Sequence, residues 1–373
     1  MDDFEPFLQI VHISDLHVVD PRSPNAGAIR ALNRSLRKIP KLGTWIADGT
    51  APYDRMAVPL FKDFLQEITT DKAWSKCKTW LVDTGDLSSL GDQASLNLGQ
   101  GYLQEFAELC PEIVSIYGNH DAWPGTLPLV ASNAALSAQG QVLAAQQYPV
   151  SSPRCALRAA ISNGGGEVQL YLVDSVIHER WRNTKALGEV LDPQLVDLKD
   201  LVDGNYQEGR YDFRILAVHH PVHYPPPRPH FTMAMSNDND VAAVLDTPSP
   251  IRAYPLAHLV LSGHTHCLYP PHDQLPAQVS LCVHPNLGDD QCQFVVGTLM
   301  QLDRYNKRLG WPHQCQVLRL YCSKSKPSIL SAERLLAARQ GGQAYKGTGI
   351  GRYKFVPLPR NSNETAEEIS FAL

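Results

Sequence analysis

No Cys-x-x-Cys pair occurs in this chain of 373 residues. Its 8 cysteines are scattered at Cys77, Cys110, Cys155, Cys267, Cys282, Cys292, Cys315 and Cys322, which excludes a zinc-finger pattern and reads as reduced thiols of an intracellular protein. In a secreted protein Cys282 and Cys292 could instead close a loop. Long apolar runs are missing as well. None approaches the ~20 residues of a membrane span, and the start, Met1-Asp2-Asp3-Phe4-Glu5-Pro6, is acidic rather than basic and apolar. The expectation is a cytoplasmic protein without a membrane partner. Charge is sparse, at 19% of residues with a net of -5, and no basic run forms a stripe for a polyanion. Nucleic acid is therefore a possible partner but not the favoured one. There are no repeats and no low-complexity tract. The 43% hydrophobic content is ample for a core.

What the chain does have is five short polar clusters, each at the end of an apolar run. Ile10-Val11-His12-Ile13-Ser14 runs into Asp15-Leu16-His17. Trp80-Leu81-Val82-Asp83-Thr84 runs into Gly85-Asp86. Ile113-Val114-Ser115-Ile116-Tyr117 precedes Gly118-Asn119-His120-Asp121. Ile215-Leu216-Ala217-Val218 precedes His219-His220-Pro221, and Leu259-Val260-Leu261-Ser262 precedes Gly263-His264-Thr265-His266. Taken singly these are ordinary turns and polar loops. Together they are buried-strand signals that each deliver polar residues at a C-terminal end, where open α/β sheets place their sites. Asp, His and Asn gathered in this way form an oxygen and nitrogen donor set for divalent cations, with no cysteine in any cluster. Ligands from Asp15 to His266 that converge on one site make a single catalytic unit over 1–321, with 322–373 as an extension or cap.

The pattern predicts strands at 7–13, 79–83, 112–117, 213–218 and 257–262, helices near 56–70, 99–109 and 130–147, and a hairpin pairing 155–162 with 167–176 around Asn163-Gly164-Gly165-Gly166. Asp192 is expected as the N-cap of a helix toward 202 with Pro193 at its first position. Strands near 278–282, 293–297 and 314–321 are expected to complete a second sheet. Residues 18–52 and 221–256, both rich in proline, are expected as insertions, and long loops of this kind often cover active sites.

The series of motifs resembles that of the calcineurin-like metallophosphoesterases: Asp-x-His, Gly-Asp, Gly-Asn-His-Asp, His and Gly-His-x-His, over roughly residues 7–320. The resemblance implies an α/β fold of two packed mixed β-sheets flanked by helices. It implies two divalent ions, of Mn, Fe or Zn type. Asp86 would bridge the pair, Asp15, His17 and His266 would complete one ion, and Asn119, His219 and His264 the other. Catalysis would come from a bridging hydroxide, with Asp86, Asn119 and His120 as the catalytic residues. Asn119 and His120 would contact the phosphate, and His120 would bond it or protonate the leaving oxygen. Beside the resemblance, His220 and His223 are expected at the substrate, with His220 alternatively a support behind the metal ligands. His12, His178, His258, His272, His284 and His313 lack a motif and are expected to be structural.

One stretch departs from the phosphoprotein phosphatases of that superfamily, which carry Gly-Asp-x-x-Asp-Arg-Gly. Here Gly85-Asp86-Leu87-Ser88-Ser89-Leu90-Gly91 puts Ser89 in place of the Asp that orients the catalytic histidine and Leu90 in place of the phosphate-binding Arg. A phosphomonoester dianion thereby loses a bidentate partner, whereas a diester, with one charge fewer, needs it less. The motif combination is most similar to the bacterial cyclic-nucleotide and glycerophosphodiester phosphodiesterase branch. A small phosphodiester such as a cyclic nucleotide is the expected substrate. A monoesterase, a nuclease or a non-catalytic metal-binding scaffold are the alternatives.

Overall fold

The first strand, β1 (Phe4–Ile13), shows how this chain builds its layers. Leu8 and Ile10 point to one side and Val11 and Ile13 to the other, and all four are buried. A strand that is apolar on both faces must lie inside a sheet covered on both sides. The structure is a computed structural model. It describes residues 3–23, 53–89, 91–121, 152–161, 166–176, 187–210, 212–222, 234–247, 255–266, 292–300, 313–326, 329–339, 355–357 and 367–372. The helix expected at 130–147, the strand at 278–282, the Asn163-Gly164-Gly165 turn and most of the 18–52 insertion lie outside these residues.

Two mixed sheets are present. In one, β1 runs parallel to β2 (Lys78–Asp83), which runs parallel to β3 (Glu112–Ser115). The other edge of β1 pairs antiparallel with β9 (Gln314–Ser323), followed by β10 (Ile329–Arg339), along which both β11 (Phe355–Pro357) and β12 (Glu367–Ala372) lie. This makes a 7-stranded sheet. The other sheet is 5-stranded, in the order β4 (Arg154–Ala160), β5 (Glu167–Leu172), β6 (Phe213–Ala217), β7 (Leu259–Ser262) and β8 (Cys292–Val295). Its β4–β5 pair is the expected antiparallel hairpin, and the rest is parallel.

The sheets pack face to face through one apolar layer that includes Ile10, Trp80, Val82, Phe213, Ile215 and Leu261. The outer face of the first sheet carries α1 (Ala57–Thr70) and α2 (Gln93–Ala107), with Phe61 and Phe106 edge to face at 4.9 Å. The outer face of the second carries α3 (Asp192–Asn205) and α4 (Asp238–Asp246) over Leu216, Val218 and Val260. The result is a four-layer α/β sandwich, the expected class. Among the described residues no helix is long and apolar enough to cross a membrane.

Several expectations are corrected. The strand at 314–321 does not complete the second sheet; it is β9, paired with β1 in the first. Its alternating pattern marks two buried faces but does not say which edge it pairs with. Helix α2 begins at Gln93 rather than 99 because the Asp92 carboxylate accepts the Ser95 amide at 3.0 Å and so caps it earlier. In α3 Asp192 is the first helical residue and not the cap. Leu191 holds the cap position, and its amide donates to Gln194 Oε1 at 2.9 Å. The 221–256 insertion contains α4, whose buried stripe of Val241, Ala242 and Leu245 is hidden in the sequence by the flanking prolines. The segment after 321 contributes the end of β9 and strands β10 to β12 to the first sheet.

Candidate metal centre

Each polar cluster follows directly on a parallel strand: β1, β2 and β3 in the first sheet, β6 and β7 in the second. Parallel strands end together, so their C-terminal loops meet. Backbone bonds lock the loops to each other. The Asp15 amide donates to the Gly85 carbonyl at 2.8 Å, the His17 amide to the Asp86 carbonyl at 2.9 Å, and the Gly263 amide to the His219 carbonyl at 3.0 Å. Bonds also cross between the sheets. The His264 amide donates to Asp15 Oδ2 at 3.0 Å, and His219 Nδ1 donates to the Thr84 carbonyl at 2.7 Å.

The backbone itself singles out the site. Asp15, His17, Asp86, His264 and His266 have φ between 50° and 68°, and they are the non-glycine residues with positive φ among those described. Left-handed backbone is costly for residues with a Cβ and gathers at functional positions. Close approach is also needed next to it. A Cβ on Gly118 would come within 2.0 Å of Asp86 Oδ1, so only glycine lets the Asn119 loop lie against Asp86.

The side chains fall into two groups that share Asp86. In one, His17 Nε2 lies 2.9 Å from His266 Nε2, 3.6 Å from Asp15 Oδ1 and 3.5 Å from Asp86 Oδ2, and His266 Nε2 lies 3.4 Å from Asp15 Oδ1. In the other, His219 Nε2 lies 3.1 Å from Asn119 Oδ1, 3.2 Å from His264 Nδ1 and 3.5 Å from Asp86 Oδ2. Asp86 Oδ2 is thus 3.5 Å from a histidine nitrogen of each group. It and Asp15 Oδ1 are buried without a hydrogen bond. Because the Thr84 carbonyl takes the proton on His219 Nδ1, Nε2 is the ring nitrogen turned to other acceptors. Buried lone pairs that converge in this way are costly unless a proton or a cation lies between them. A donor set of carboxylate, amide oxygen and imidazole suits a divalent cation. One half of the set offers Asp15, His17, Asp86 and His266 within 4.8 Å of one another, and the histidines His219, His220 and His264 are gathered as closely.

Charge follows the same geometry. Burial pushes His219 down, but the nearby Asp86 charge outweighs burial and lifts it to about 9. Burial would raise Asp86 and Asp15. The neighbouring histidines prevail, holding Asp86 well below the usual carboxylate range and Asp15 at about 2. Burial pushes His264 and His120 down to about 3.

His120 stands beside this set, with its ring 4.7 Å from that of His17. Its amide donates to Asp86 Oδ1 at 2.8 Å, and its Nδ1 donates to the Ser89 carbonyl at 3.1 Å. Ser89 Oγ donates to the His17 carbonyl at 2.8 Å. The orienting carboxylate missing from the sequence is therefore replaced by a main-chain oxygen. Asp121, buried, accepts the amides of Gly118, Leu87 and Ser88 and ties the Asn119 loop to the loop after Asp86. Burial, with the nearby Asp86 charge, raises it to about 7.

His220 is brought to the site but is fully buried, and its Nδ1 lies 2.8 Å from Ser175 Oγ. His223 lies outside the described residues. His12, His258 and His313 are buried in the sheets, His12 against Thr84 and His258 stacked on Phe213. Sequence reasoning missed Ser175, although Val168-Gln169-Leu170-Tyr171-Leu172-Val173 followed by Asp174-Ser175 repeats the signal of an apolar run with a polar end. It also missed Thr84 as the acceptor for His219.

The model of the calcineurin-like phosphoesterase family matches residues 8–268, from β1 to just beyond His266. The chain belongs to the calcineurin-like phosphoesterase family. That membership and the His/Asp cluster point to divalent metal ions. No curated protein sequence matches the chain. Among solved structures it is similar to the sulfate thiohydrolase SoxB of Termus thermophilus in complex with glycerol, at 15% identity and a TM-score of 0.43. The match covers 95% of this chain but 58% of that one, so this chain spans little more than half of that protein's length.

Proposed function

We propose that this phosphoesterase hydrolyses small phosphodiesters, a cyclic nucleotide being the leading class, with two divalent cations shared through Asp86. The observation that carries the reading is Asp86 Oδ2, buried, without a hydrogen bond, and 3.5 Å from both His17 Nε2 and His219 Nε2. Asp15, His17 and His266 would hold one cation with Asp86, and Asn119, His219 and His264 the other. The bound cations would offset charge on the phosphoryl oxygens and acidify a water.

The chain's own residues do the rest. The Thr84 carbonyl keeps the His219 proton on Nδ1 and leaves Nε2 as a donor atom. Asn119 presents Oδ1 toward His219 Nε2 at 3.1 Å. The Ser89 carbonyl fixes the His120 proton on Nδ1, so Nε2 is the atom at which a proton is held or moved. His120 has a neutral main-chain oxygen behind it rather than a carboxylate, and in the sequence Leu90 takes the position of the phosphatases' Arg. Both features favour a singly charged diester over a monoester dianion. The low overall charge argues against long nucleic acids.

The test is catalytic efficiency on cyclic nucleotides, glycerophosphodiesters, single-stranded DNA and nucleoside monophosphates with Mn in each case. Small diesters are expected to lead, chelation to abolish turnover, and His120→Ala to keep metal while losing turnover. A monoester or DNA preferred by more than about tenfold, roughly 1.4 kcal/mol in the barrier, overturns the diester reading. A metal-loaded protein inert toward all four is a scaffold instead.

A further inference from the structure

We propose that Ser175, Gly188 and His220 form a positioning unit that sets the affinity of the cation position built by His219 and His264; this rests on the two-cation reading above. His219 and His220 are consecutive, and their rings part at 86°, with centroids 4.9 Å apart. The His219 ring turns to Asp86 and Asn119. The His220 ring turns to the end of β5 and packs against His264, centroid to centroid at 4.2 Å.

Ser175 holds His220 in that place. Its Oγ accepts the His220 amide at 3.2 Å and lies 2.8 Å from Nδ1. One hydroxyl thus meets both the His220 main chain and its ring at Nδ1, and this turns the ring onto His264. His220 thereby supports the neighbouring ring. Ser175 is itself fully buried and set by a tight turn, in which Asp174 Oδ1 accepts the Val176 amide at 2.7 Å.

Gly188 closes the other side of the ring. A Cβ there would lie 2.3 Å from His220 Cγ and 2.5 Å from Nδ1, so a side chain at this position displaces the imidazole. The strip that carries Gly188 is pinned from both sides. The Glu189 amide donates to the Ser175 carbonyl at 2.9 Å, and the Ser236 amide to the Gly188 carbonyl at 2.7 Å. The His220 ring is therefore held by a hydroxyl at Nδ1, a glycine backbone against Cγ and a ligand ring at 4.2 Å. Partners of this kind orient a ligand ring, and their loss costs about 10–100-fold in metal affinity.

The test is a calorimetric titration of the metal-free protein with Mn alone, for wild type, Ser175→Ala, Ser175→Thr and Gly188→Ala. Wild type is expected to show two binding steps. Ser175→Ala and Gly188→Ala are expected to weaken the same single step about 10–100-fold and to leave the other within about twofold. Ser175→Thr, which keeps the hydroxyl, is expected to keep wild-type affinity. Two unchanged steps in both Ser175→Ala and Gly188→Ala overturn the proposal. So does an equal loss in both steps accompanied by a fall in the thermal midpoint of the metal-free protein, which is what a merely structural role gives. A wild type that binds fewer than two ions removes the two-cation reading itself and this inference with it.

Discussion

At the scale of single residues, the site is a set of acceptors forced together. His219 Nε2 faces Asn119 Oδ1, His264 Nδ1 and Asp86 Oδ2 within 3.5 Å, and a proton can only stay there because Asp86 is charged. The metal-free pKa of about 9 means that the ring is protonated at neutral pH. A cation must displace that proton, so binding releases it and affinity rises with pH. In the one-proton limit the rise is about tenfold per unit up to about pH 9. Mn titrations in two buffers of different ionisation enthalpy check this, and a pH-independent affinity between 7 and 9 contradicts it. The residues that could hold the cations were legible in the sequence because Asp, His and Asn recur at the ends of apolar runs. Ser175 and Gly188 were not, since one serine after β5 and one glycine before a helix carry no chemistry until the fold sets His220 between them. The Ser89 carbonyl was hidden for a different reason: main-chain atoms have no sequence signature.

At the scale of elements, five strand ends place the ligands and glycines let the loops touch. At Gly118 an added Cβ would lie 2.5 Å from the Asp86 amide nitrogen as well as against its carboxylate. Gly118→Ala is expected to push the Asn119 loop away from Asp86 and to lower metal affinity about 100-fold, while the sheets survive with unchanged far-ultraviolet circular dichroism. Wild-type Mn binding in that variant would show that the loop can move without consequence. The strands themselves were readable, since apolar runs such as Ile10–Ile13 and Leu259–Ser262 bound their own length. Their partners were less so. Buried alternation states that β9 has two covered faces, yet only the hydrogen-bonded register from Phe4↔Ser323 to His12↔Gln316 puts it beside β1. Helix α4 escaped notice because its short stripe sits inside a proline-rich stretch.

At the scale of the whole molecule, the centre joins the sheets. Asp15, His17, Asp86 and Asn119 come from the first sheet, and His219, His264 and His266 from the second. Cations bound there would couple the two layers, so metal saturation is expected to raise the unfolding midpoint. A free cation at about a thousand times its dissociation constant adds about 4 kcal/mol. An identical midpoint with Mn and with chelator would mean that no cation spans the sheets. The two-sheet fold was legible through the resemblance of the motif series to the calcineurin-like metallophosphoesterases, since the pattern of strands and helices by itself states only α/β. The part of the first sheet built from β10 to β12 was not, because a segment with weak apolar periodicity gives no sign that it continues a sheet. In the proposed reading Asp86 is the residue common to both cation positions. Metal content by mass spectrometry after exhaustive dialysis, for wild type and Asp86→Ala, tests it most directly. Two ions per chain in wild type, both lost together in the variant, is the predicted result; two tightly bound ions retained in Asp86→Ala would contradict it.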